Sequence, residues 1–506
     1  MSGRDQVHSA RPGVVTAVVC LALAAVVAAM ASLNVALPDI GRDTHASQTE
    51  LVWIIDAYSL AFAALLLPGG ALGDRFGRRV CLIAGLLLFG GGSAVAMTAH
   101  TATELIALRA VLGVGAALVM PATLSTITAT FSTAERARGV SIWAAVAGGA
   151  AILGLLASGA ILTGLTWRYI FGLNVLLALL ALAGTLRFVP ESADPDAPRI
   201  DIGGAVLAIL ALSALVVSVI EAPDHGWLAA RTTVGLLLAL VLVCAFVAWE
   251  LRQAAPLLDP RVFRHPRLAS GSLSIFVQFF AFYGFTFIVL QYLQLVRGYS
   301  PLLAAIHILP LAATLMPTSR LVPRLAARID PIYLCAAGLV LVAGGLAILS
   351  RMTADSSYWL MAGGLVVLGA GMGAAMTPAT TAITQGLPQS QQGVGSALND
   401  LSREVGGAIG IAVLGSILAA TYSATVNLTG LPASISHVVK QSYTVAAHLP
   451  PPIPGRTHLA FVDAMHAALL TASAVALAAG TLVFVVRVAS RRSTEPASPR
   501  GVSVPS

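Results

Sequence analysis

Long apolar runs divide the chain into fourteen segments of membrane-spanning length. A helix needs roughly 20 apolar residues to cross a hydrocarbon core of about 30 Å, and these runs hold roughly 16 to 28 residues each. Short clusters of polar and charged residues separate them. The runs lack the alternation of apolar and polar positions that a transmembrane β-barrel requires. The pattern therefore predicts an all-α, polytopic membrane protein with fourteen transmembrane helices.

The predicted spans follow one another from the first apolar run to the last. An even number of spans places both termini on the same side of the membrane. The fourteen predicted spans are 14–37, 52–67, 80–97, 104–128, 140–163, 169–188, 202–220, 232–251, 268–295, 302–317, 332–349, 358–383, 405–421 and 464–489.

The composition excludes several classes of protein. Hydrophobic residues make up 57% of the 506 residues, and charged residues make up only 10%. A soluble domain carries about 25% charged residues, so the bilayer must be the solvent for most of this chain. We find no Walker-type phosphate loop, no nucleophile with its base and no metal-ligand cluster. We therefore expect neither an enzyme nor an ATP-driven pump, and no metal, cofactor or nucleic-acid partner.

Positive charge sets the predicted orientation. If the N-terminus is cytoplasmic, Lys and Arg are roughly three times as frequent in the cytoplasmic segments as in the external ones, as the positive-inside rule requires. This bias explains the formal charge of +7. The long segment 422–463 is then external, and its prolines between 450 and 454 predict a loosely ordered cap. The Ser/Pro-rich tail at 491–506 is predicted to be disordered.

The strongest local signal lies between the second and third spans. Its glycines permit a tight turn, and we expect its acid near a helix N-terminus, where a negative charge gains about 0.3–1 kcal/mol. A merely basic loop would leave the spaced glycines and the acid unexplained. The segment reads Gly70, Ala71, Leu72, Gly73, Asp74, Arg75, Phe76, Gly77, Arg78 and Arg79.

This segment resembles the signature loop of the major facilitator superfamily. The fourteen spans and the first-span ending 33–38 make the chain similar to the drug:proton antiporter branch typified by QacA and EmrB. The resemblance extends from about residue 14 to residue 489. Further matching pieces are 53–58, 109–121, 167–171, 298–301, 393–399 and 406–407.

The resemblance implies two six-helix bundles that rock around a central site, with spans seven and eight inserted between them. We accordingly expect an N-terminal bundle at 1–190, the inserted pair with its linkers at 191–266 and a C-terminal bundle at 267–490. It further implies a monomer in a bacterial plasma membrane. The implied activity is proton-coupled antiport of small amphipathic drugs or secondary metabolites by alternating access.

Two opposite charges lie inside predicted spans, where charge is costly and defaults to function. Asp56 and Arg109 both lie about five residues from the external ends of their spans, or about 7–8 Å deep. Equal depth predicts an ion pair that protonation of Asp56 would break, and a static pair is the alternative. Arg109 also matches the fourth-helix arginine that the resemblance implicates in proton coupling.

Two positions depart from the family pattern. An acid is usual five residues before Asn34, and here that position is Ala29. The antiporter motif of the fifth span normally contains Gly-Pro, and here Leu155 follows Gly154. Small residues such as Gly159 still permit close helix contact. These departures leave the identity of the coupling ion open.

Aromatic and amide side chains in the ninth span suggest a wall for amphipathic ligands. Phe276, Phe280, Tyr283 and Phe287 share one helical face; lipid contact or helix packing is the alternative. The candidate cavity residues are Asn34, Gln278, Tyr283, Gln291 and His307.

Two other functions stay open at this point. A major-facilitator importer, or a lipid or metabolite transporter, could use another gradient. A sensor or scaffold that transports nothing is the second alternative, although it would need neither the signature loop nor the intramembrane charges.

Overall fold

The computed structural model describes residues 12–193, 200–385, 392–451 and 453–492, and the regular elements within these ranges are all helical. Fourteen of the described helical segments are long and apolar enough to cross a membrane. The predicted all-α membrane fold is therefore confirmed. The predicted disordered tail lies, from residue 493 onward, outside the described ranges.

The first eight helices each form one span. Capping boxes begin three of them, at Ser47 with Glu50, at Thr101 with Glu104 and at Ser132 with Glu135. The helices are α1 Pro12–Thr44, α2 Gln48–Phe76, α3 Arg78–Ala96, α4 Ala102–Thr130, α5 Thr133–Ile161, α6 Arg168–Phe188, α7 Ile202–His225 and α8 Ala230–Glu250.

The second half is less regular. A 3-10 turn at Pro260–Arg264 precedes α9, a π-helical turn at Tyr292–Val296 extends it, and the tenth span is broken at Ile308. The helices are α9 Pro266–Gln291, α10 Pro301–His307, α11 Leu309–Ala326, α12 Pro331–Leu349, α13 Tyr358–Gln385, α14 Gln392–Thr425, α15 Ala433–Gln441, α16 Tyr443–Ala446 and α17 Ile453–Arg492.

Helices α1 to α6 pack mainly on one another and form a first group, and α9, α11 to α14 and α17 form a second group in the same way. The short α10, which leads into α11, lies mainly against α5 of the first group. Small residues bring the backbones together, as is usual where lipid supplies no hydrophobic driving force. A Cβ at Gly154 of α5 would lie 2.7 Å from the carbonyl oxygen of Ala28 on α1. A Cβ at Gly371 of α13 would lie 2.6 Å from the backbone nitrogen of Val342 on α12. Close backbone contact therefore holds each group of helices together.

Helix α7 lies against both groups, whereas α8 packs almost only on α7. On one side α7 contacts α2, and on the other the Ser416 hydroxyl of α14 donates to the Val219 carbonyl at 2.7 Å. Most of α8 is exposed and apolar. In a membrane this surface faces lipid.

The segment after α14 is not the loosely ordered cap that its prolines predicted. Helices α15 and α16 fill part of it, and α17 begins at Ile453, eleven residues before the predicted span. The Tyr422 hydroxyl donates to the Val439 carbonyl at 2.8 Å, and the buried Tyr443 ring stacks on Phe461 with centroids 4.2 Å apart. Buried aromatic contacts order this segment despite its proline content.

The hydrogen bonds that the structure describes between the two groups of helices lie near one face of the protein. We call this face, which carries residues 422–451, the loop side, and the opposite face, which carries residues 70–79, the motif side. The bonds join Gln48 Nε2 to Gln291 Oε1 (3.3 Å), Gln294 Nε2 to the Val35 carbonyl (2.9 Å) and Ser442 Oγ to the Ala46 carbonyl (2.7 Å). The loop side is therefore closed.

Cysteine labelling tests the docking of α15. We expect Val438→Cys, at a 42% exposed position, to react rapidly with a membrane-impermeant maleimide. Val439→Cys, at the adjacent fully buried position, should react at a rate at least about tenfold lower, because labelling there requires local opening. The purified protein with its other cysteines replaced serves as background. Equal rates at the two positions would favour a disordered cap.

Candidate transport site

Asp56 is a fully buried acid for which the described part of the chain supplies no hydrogen-bond partner. It is 0% exposed, and neither of its carboxylate oxygens has a partner among the described residues. The capping box of Ser47 and Glu50 fixes the start of α2, and with it the depth of Asp56. A buried carboxylate that lacks hydrogen bonds is costly, and the neutral acid avoids most of that cost. Asp56 is therefore the strongest candidate for reversible protonation.

Arg109 does not form the predicted ion pair with Asp56. Its Nε donates to the Ile54 carbonyl at 2.9 Å, its Nη2 reaches the Ile55 carbonyl at 3.4 Å, and the guanidinium lies 4.3 Å from the ring centroid of Tyr58. Tyr58 follows Asp56 by two residues, which is about 200° around the helix. The prediction of an ion pair rested on depth alone. Arg109 packs against the face of α2 that carries Tyr58, whereas Asp56 lies on a different face of α2.

Ala29 lies beside this arginine. Its carbonyl accepts from Arg109 Nη1 at 3.5 Å, so the position at which the resemblance predicts an acid is next to a buried cation. The nearby Tyr58 hydroxyl donates to the Val26 carbonyl of α1 at 2.9 Å and so holds the ring in place. Backbone carbonyls and an aromatic face thus stabilise the charge of Arg109 where a carboxylate would otherwise do so.

A second charged cluster, on α14, was not predicted from the sequence. The predicted span began at residue 405, but the span begins at Ala397 and includes Asp400, Arg403 and Glu404. Arg403 Nη2 lies 3.5 Å from Glu404 Oε1, and its guanidinium lies 5.2 Å from the Phe279 ring centroid. Glu404 is 1% exposed, and its Oε2 has no partner within the described part of the chain.

Helical geometry places Asp56 and Glu404 on the interface between α2 and α14. A Cβ at Gly415 would lie 2.6 Å from the Val52 side chain, so these two residues mark the contact between the helices. Asp56 follows Val52 by four residues, and Glu404 precedes Gly415 by eleven, so each shares a face with the contact residue. The helices run in opposite directions, so Glu404 lies about 10 Å nearer the motif side than Asp56.

Three of the candidate cavity residues lie within the helix bundles. Gln278 is 0% exposed and donates to Ser274, while its Oε1 has no described partner. Asn34 bonds carbonyls of its own helix and likewise leaves Oδ1 unpartnered. Tyr283 is half-buried beside Gly407. The Gln278 and Asn34 amide oxygens thus have unused hydrogen-bonding capacity among the described residues.

The other two candidates lie near the loop side. Gln291 takes part in the closure with Gln48. His307 ends α10, with its ring 4.7 Å from Tyr299 and 4.5 Å from Tyr358 between centroids. His307 lies only six residues after the start of α10, so it lies on the loop side, as Gln291 does.

Most of the aromatic face of α9 packs on glycines of α14, and Phe276 also borders an apolar cavity on the motif side. A Cβ at Gly406 would lie 3.0 Å from the Cα of Phe276, and one at Gly410 would lie 2.7 Å from the Cα of Phe280. This result favours the helix-packing alternative for most of the face. The paired glycines at 406 and 407 are the sequence signal that could have predicted it.

The glycines of α5 bring both groups of helices close to it. Gly154 contacts α1, whereas a Cβ at Gly159 would lie 2.7 Å from the Cα of Leu302 on α10. Gly159 therefore belongs to the contact between the two groups on the loop side. Leu155, which stands where the family motif has proline, is buried at 7% exposure and continues the helix.

The signature loop joins α2 to α3 through a single turn residue. Gly77 has φ +110°, which favours glycine, and a Cβ there would collide with the carboxylate of Glu191. Asp74 does not lie at a helix N-terminus as predicted. It lies in the last turn of α2 and accepts from Arg78 at 2.8 Å. Arg75 is exposed.

Glu191 and the end of α6 fix this loop from the other side, a contact that the sequence did not reveal. The Arg79 guanidinium donates to the Leu186 carbonyl at 2.7 Å, and its backbone N–H donates to Glu191 at 3.2 Å. Gly70 and Gly73 have room for a Cβ, so their role in the motif is not explained by crowding. The loop is bound to its own group of helices, on the motif side.

Comparison with known proteins identifies the family. The family model described as Major Facilitator Superfamily matches residues 19–411. The chain belongs to the major facilitator superfamily. It is 37% identical over 394 residues to the multidrug resistance protein Stp of Mycobacterium tuberculosis, covering 78% of this chain and 73% of that protein. It is 34% identical over 469 residues to the multidrug efflux pump LfrA of Mycolicibacterium smegmatis, covering 91% and 92%.

Solved structures support the same fold. A crystal structure of a bacterial homologue of the human lysosomal transporter Spinster, in an inward-facing and occupied conformation, matches with a TM-score of 0.65. The identity is 17%, over 96% of this chain and 98% of that chain. This major facilitator chain therefore shares the overall helix arrangement of a structurally characterised transporter.

Asp56 and Glu404 are titratable side chains of this major facilitator protein that lie buried with carboxylate oxygens unpartnered among the described residues. Within the described ranges, no group of three or more His, Cys, Asp or Glu residues is arranged to hold a metal ion. The two buried acids lie where the two groups of helices meet. A change of protonation at either acid would alter the free energy of closing that interface.

Substitution of Ala29 tests the environment of Arg109. We expect Ala29→Asp to be tolerated, because the new carboxylate meets an existing buried cation. Ala22→Asp, at an equally buried position two turns away on the same face, should destabilise the protein by about 3–5 kcal/mol, because its charge is unpaired. Thermal unfolding in detergent compares the two variants. Equal destabilisation would show that Arg109 does not act as a counter-ion at position 29.

Proposed function

We propose that this protein is a proton-coupled exporter of small amphipathic drugs or secondary metabolites, working by alternating access. Its relatives include a multidrug resistance protein and a multidrug efflux pump, each matched over more than 70% of both chains. The observation that carries the coupling is the partnerless Asp56, buried between the two groups of helices. Cargo leaves chemically unchanged, and the proton gradient is the only co-reactant.

The proposed orientation places the motif side in the cytoplasm, together with both termini, in a bacterial plasma membrane. The basic segments at 75–79 and 261–267 support this orientation through the positive-inside rule. Hydrogen bonds close the loop side, so the described conformation would receive cargo from the cytoplasm. A monomer suffices, because cargo passes between two groups of helices in one chain.

The proton step follows from the cost of burying charge. Opening the loop side would bring water to Asp56, where the carboxylate is well solvated and can bind a proton from outside. Closing that side again would remove the water, and the neutral acid is the form that can be buried at low cost. Protonation of Asp56 would therefore favour the conformation in which the loop side is closed.

Glu404 is the second proton acceptor that we propose on the same interface. It lies about 10 Å nearer the motif side, and Arg403 stabilises its charged form from 3.5 Å. A proton released from Asp56 would move toward the cytoplasm through this acid. Cargo binding near Tyr283 and Gln278 would compete with that proton, which is the requirement for antiport.

Vesicle transport tests the coupling. We reconstitute wild type and Asp56→Asn, impose a pH gradient and follow a fluorescent amphipathic cation. The gradient should drive movement in wild type and not in Asp56→Asn, because Asn cannot change its charge; Glu404→Gln should fail in the same way. Binding of the cation without a gradient should survive both changes.

Asp224→Asn is the matched control, since Asp224 is exposed at the loop-side end of α7. It should transport like wild type. Gradient-driven movement that survives intact in Asp56→Asn would refute the coupling assignment. If no cation moves in wild type under any gradient, the exporter proposal itself fails.

A further inference from the structure

An apolar cavity on the motif side is separate from the transport site. It has a volume of about 340 Å³ and lies between the turn that precedes α9, the start of α9 and the start of α14. Phe263, Phe276 and Leu401 are among its apolar walls, and only serines contribute polar side chains. This volume falls within the range of about 300–1,000 Å³ that is usual for small-ligand sites.

The cavity opens away from the charged face of α14. Val405 lines it, and Ser416, eleven residues later on the same face, contacts α7. Glu404 instead shares a face with Gly415, which contacts α2. The cavity thus faces the inserted helix pair and the lipid around it, not the path proposed for cargo and protons.

Two features at the cavity point to a ligand. Ser272 lines it and is 6% exposed, yet its hydroxyl has no hydrogen-bond partner among the residues described here. Arg264 and Arg267 closely follow the wall residue Phe263 in the chain, and both are exposed and take part in no described ion pair, so positive charge lies near the cavity in sequence. The N-cap residue of α9, His265, forms no capping hydrogen bond, so that helix end also favours an anion.

We propose that this cavity binds an anionic phospholipid of the adjacent leaflet. An acyl chain would fill the apolar cavity, and the phosphate would lie between Arg264, Arg267 and the start of α9. Basic pockets between helices on the cytoplasmic side of membrane proteins recognise such headgroups. The same positive charge disfavours amphipathic cations, so the site differs in chemistry from the cargo site. The leaflet assignment rests on the orientation proposed above, and the binding chemistry does not.

The bound lipid would hold the linker between α8 and α9 against the helices that move. Glu250, the last residue of α8, accepts a hydrogen bond from the Leu258 N–H at 3.3 Å, and Leu258 lines the cavity. Occupation of the cavity would therefore stabilise the link between the inserted pair and the second group of helices.

Photo-crosslinking tests this site in nanodiscs of neutral lipid. The probe is phosphatidylglycerol with a photoreactive acyl chain, titrated into the full-length protein. Labelling should map to the segments around Phe263 and Leu401, and unlabelled phosphatidylglycerol should compete better than phosphatidylcholine. The double variant Arg264→Gln/Arg267→Gln should weaken binding about thirtyfold, because each arginine near the surface contributes about a factor of five.

The matched control is Arg324→Gln/Arg328→Gln, which removes two exposed arginines at the motif-side end of α11. It should bind the probe like wild type, while Ser272→Leu should reduce labelling by filling the cavity. Equal loss in both double variants, equal competition by phosphatidylcholine or labelling elsewhere would overturn the proposal. Cation export measured in parallel separates the two proposals, because selective labelling without export would refute only the proposed function.

Discussion

The cost of an unpaired charge in a low-dielectric interior is the constraint on which this structure depends. The chain buries Arg109 and satisfies it with backbone carbonyls and the ring of Tyr58. It also buries Asp56, and no described residue donates a hydrogen bond to that carboxylate. An always-charged guanidinium needs such partners, whereas a carboxyl group can become neutral instead. The contrast between these two environments makes Asp56, and not Arg109, the group whose charge can follow the conformation.

The cost of burying a charge at Asp56 affects conformation because Asp56 lies on the interface between α2 and α14. The first and second groups of helices meet along α2 and α14, and the loop side is closed by a few hydrogen bonds and glycine contacts. Such hydrogen bonds are each worth only about 0.5–1.5 kcal/mol. Burying an unpaired charge at Asp56 costs more free energy than one such bond supplies, so protonation can decide whether this interface stays closed. Under the proposed function, rocking of the two groups of helices would convert this change of protonation into alternating access.

Sequence patterns predicted the fold well and the site only in part. Apolar runs place helices because the bilayer imposes a length, and spaced glycines with charges identified the signature loop. The same reasoning missed Glu404, because three charged residues between 400 and 404 lower the local hydropathy although the helix continues through them. It paired Asp56 with Arg109 because depth can be counted along a helix, whereas the facing of two helices depends on their packing. It also predicted a loosely ordered cap after α14, where Tyr443 and Phe461 stack.

We propose that Asp56 is neutral while the loop side is closed. Infrared difference spectroscopy measures this protonation state directly. Spectra of wild type and Asp56→Asn are recorded in lipid vesicles without a gradient, with Asp224→Asn as the reference for an exposed acid. We expect a protonated carboxyl C=O band, insensitive to pH near neutrality, that disappears in Asp56→Asn and persists in Asp224→Asn. If Asp56→Asn instead removes only a carboxylate band, Asp56 is charged while buried, and the proposed coupling is wrong.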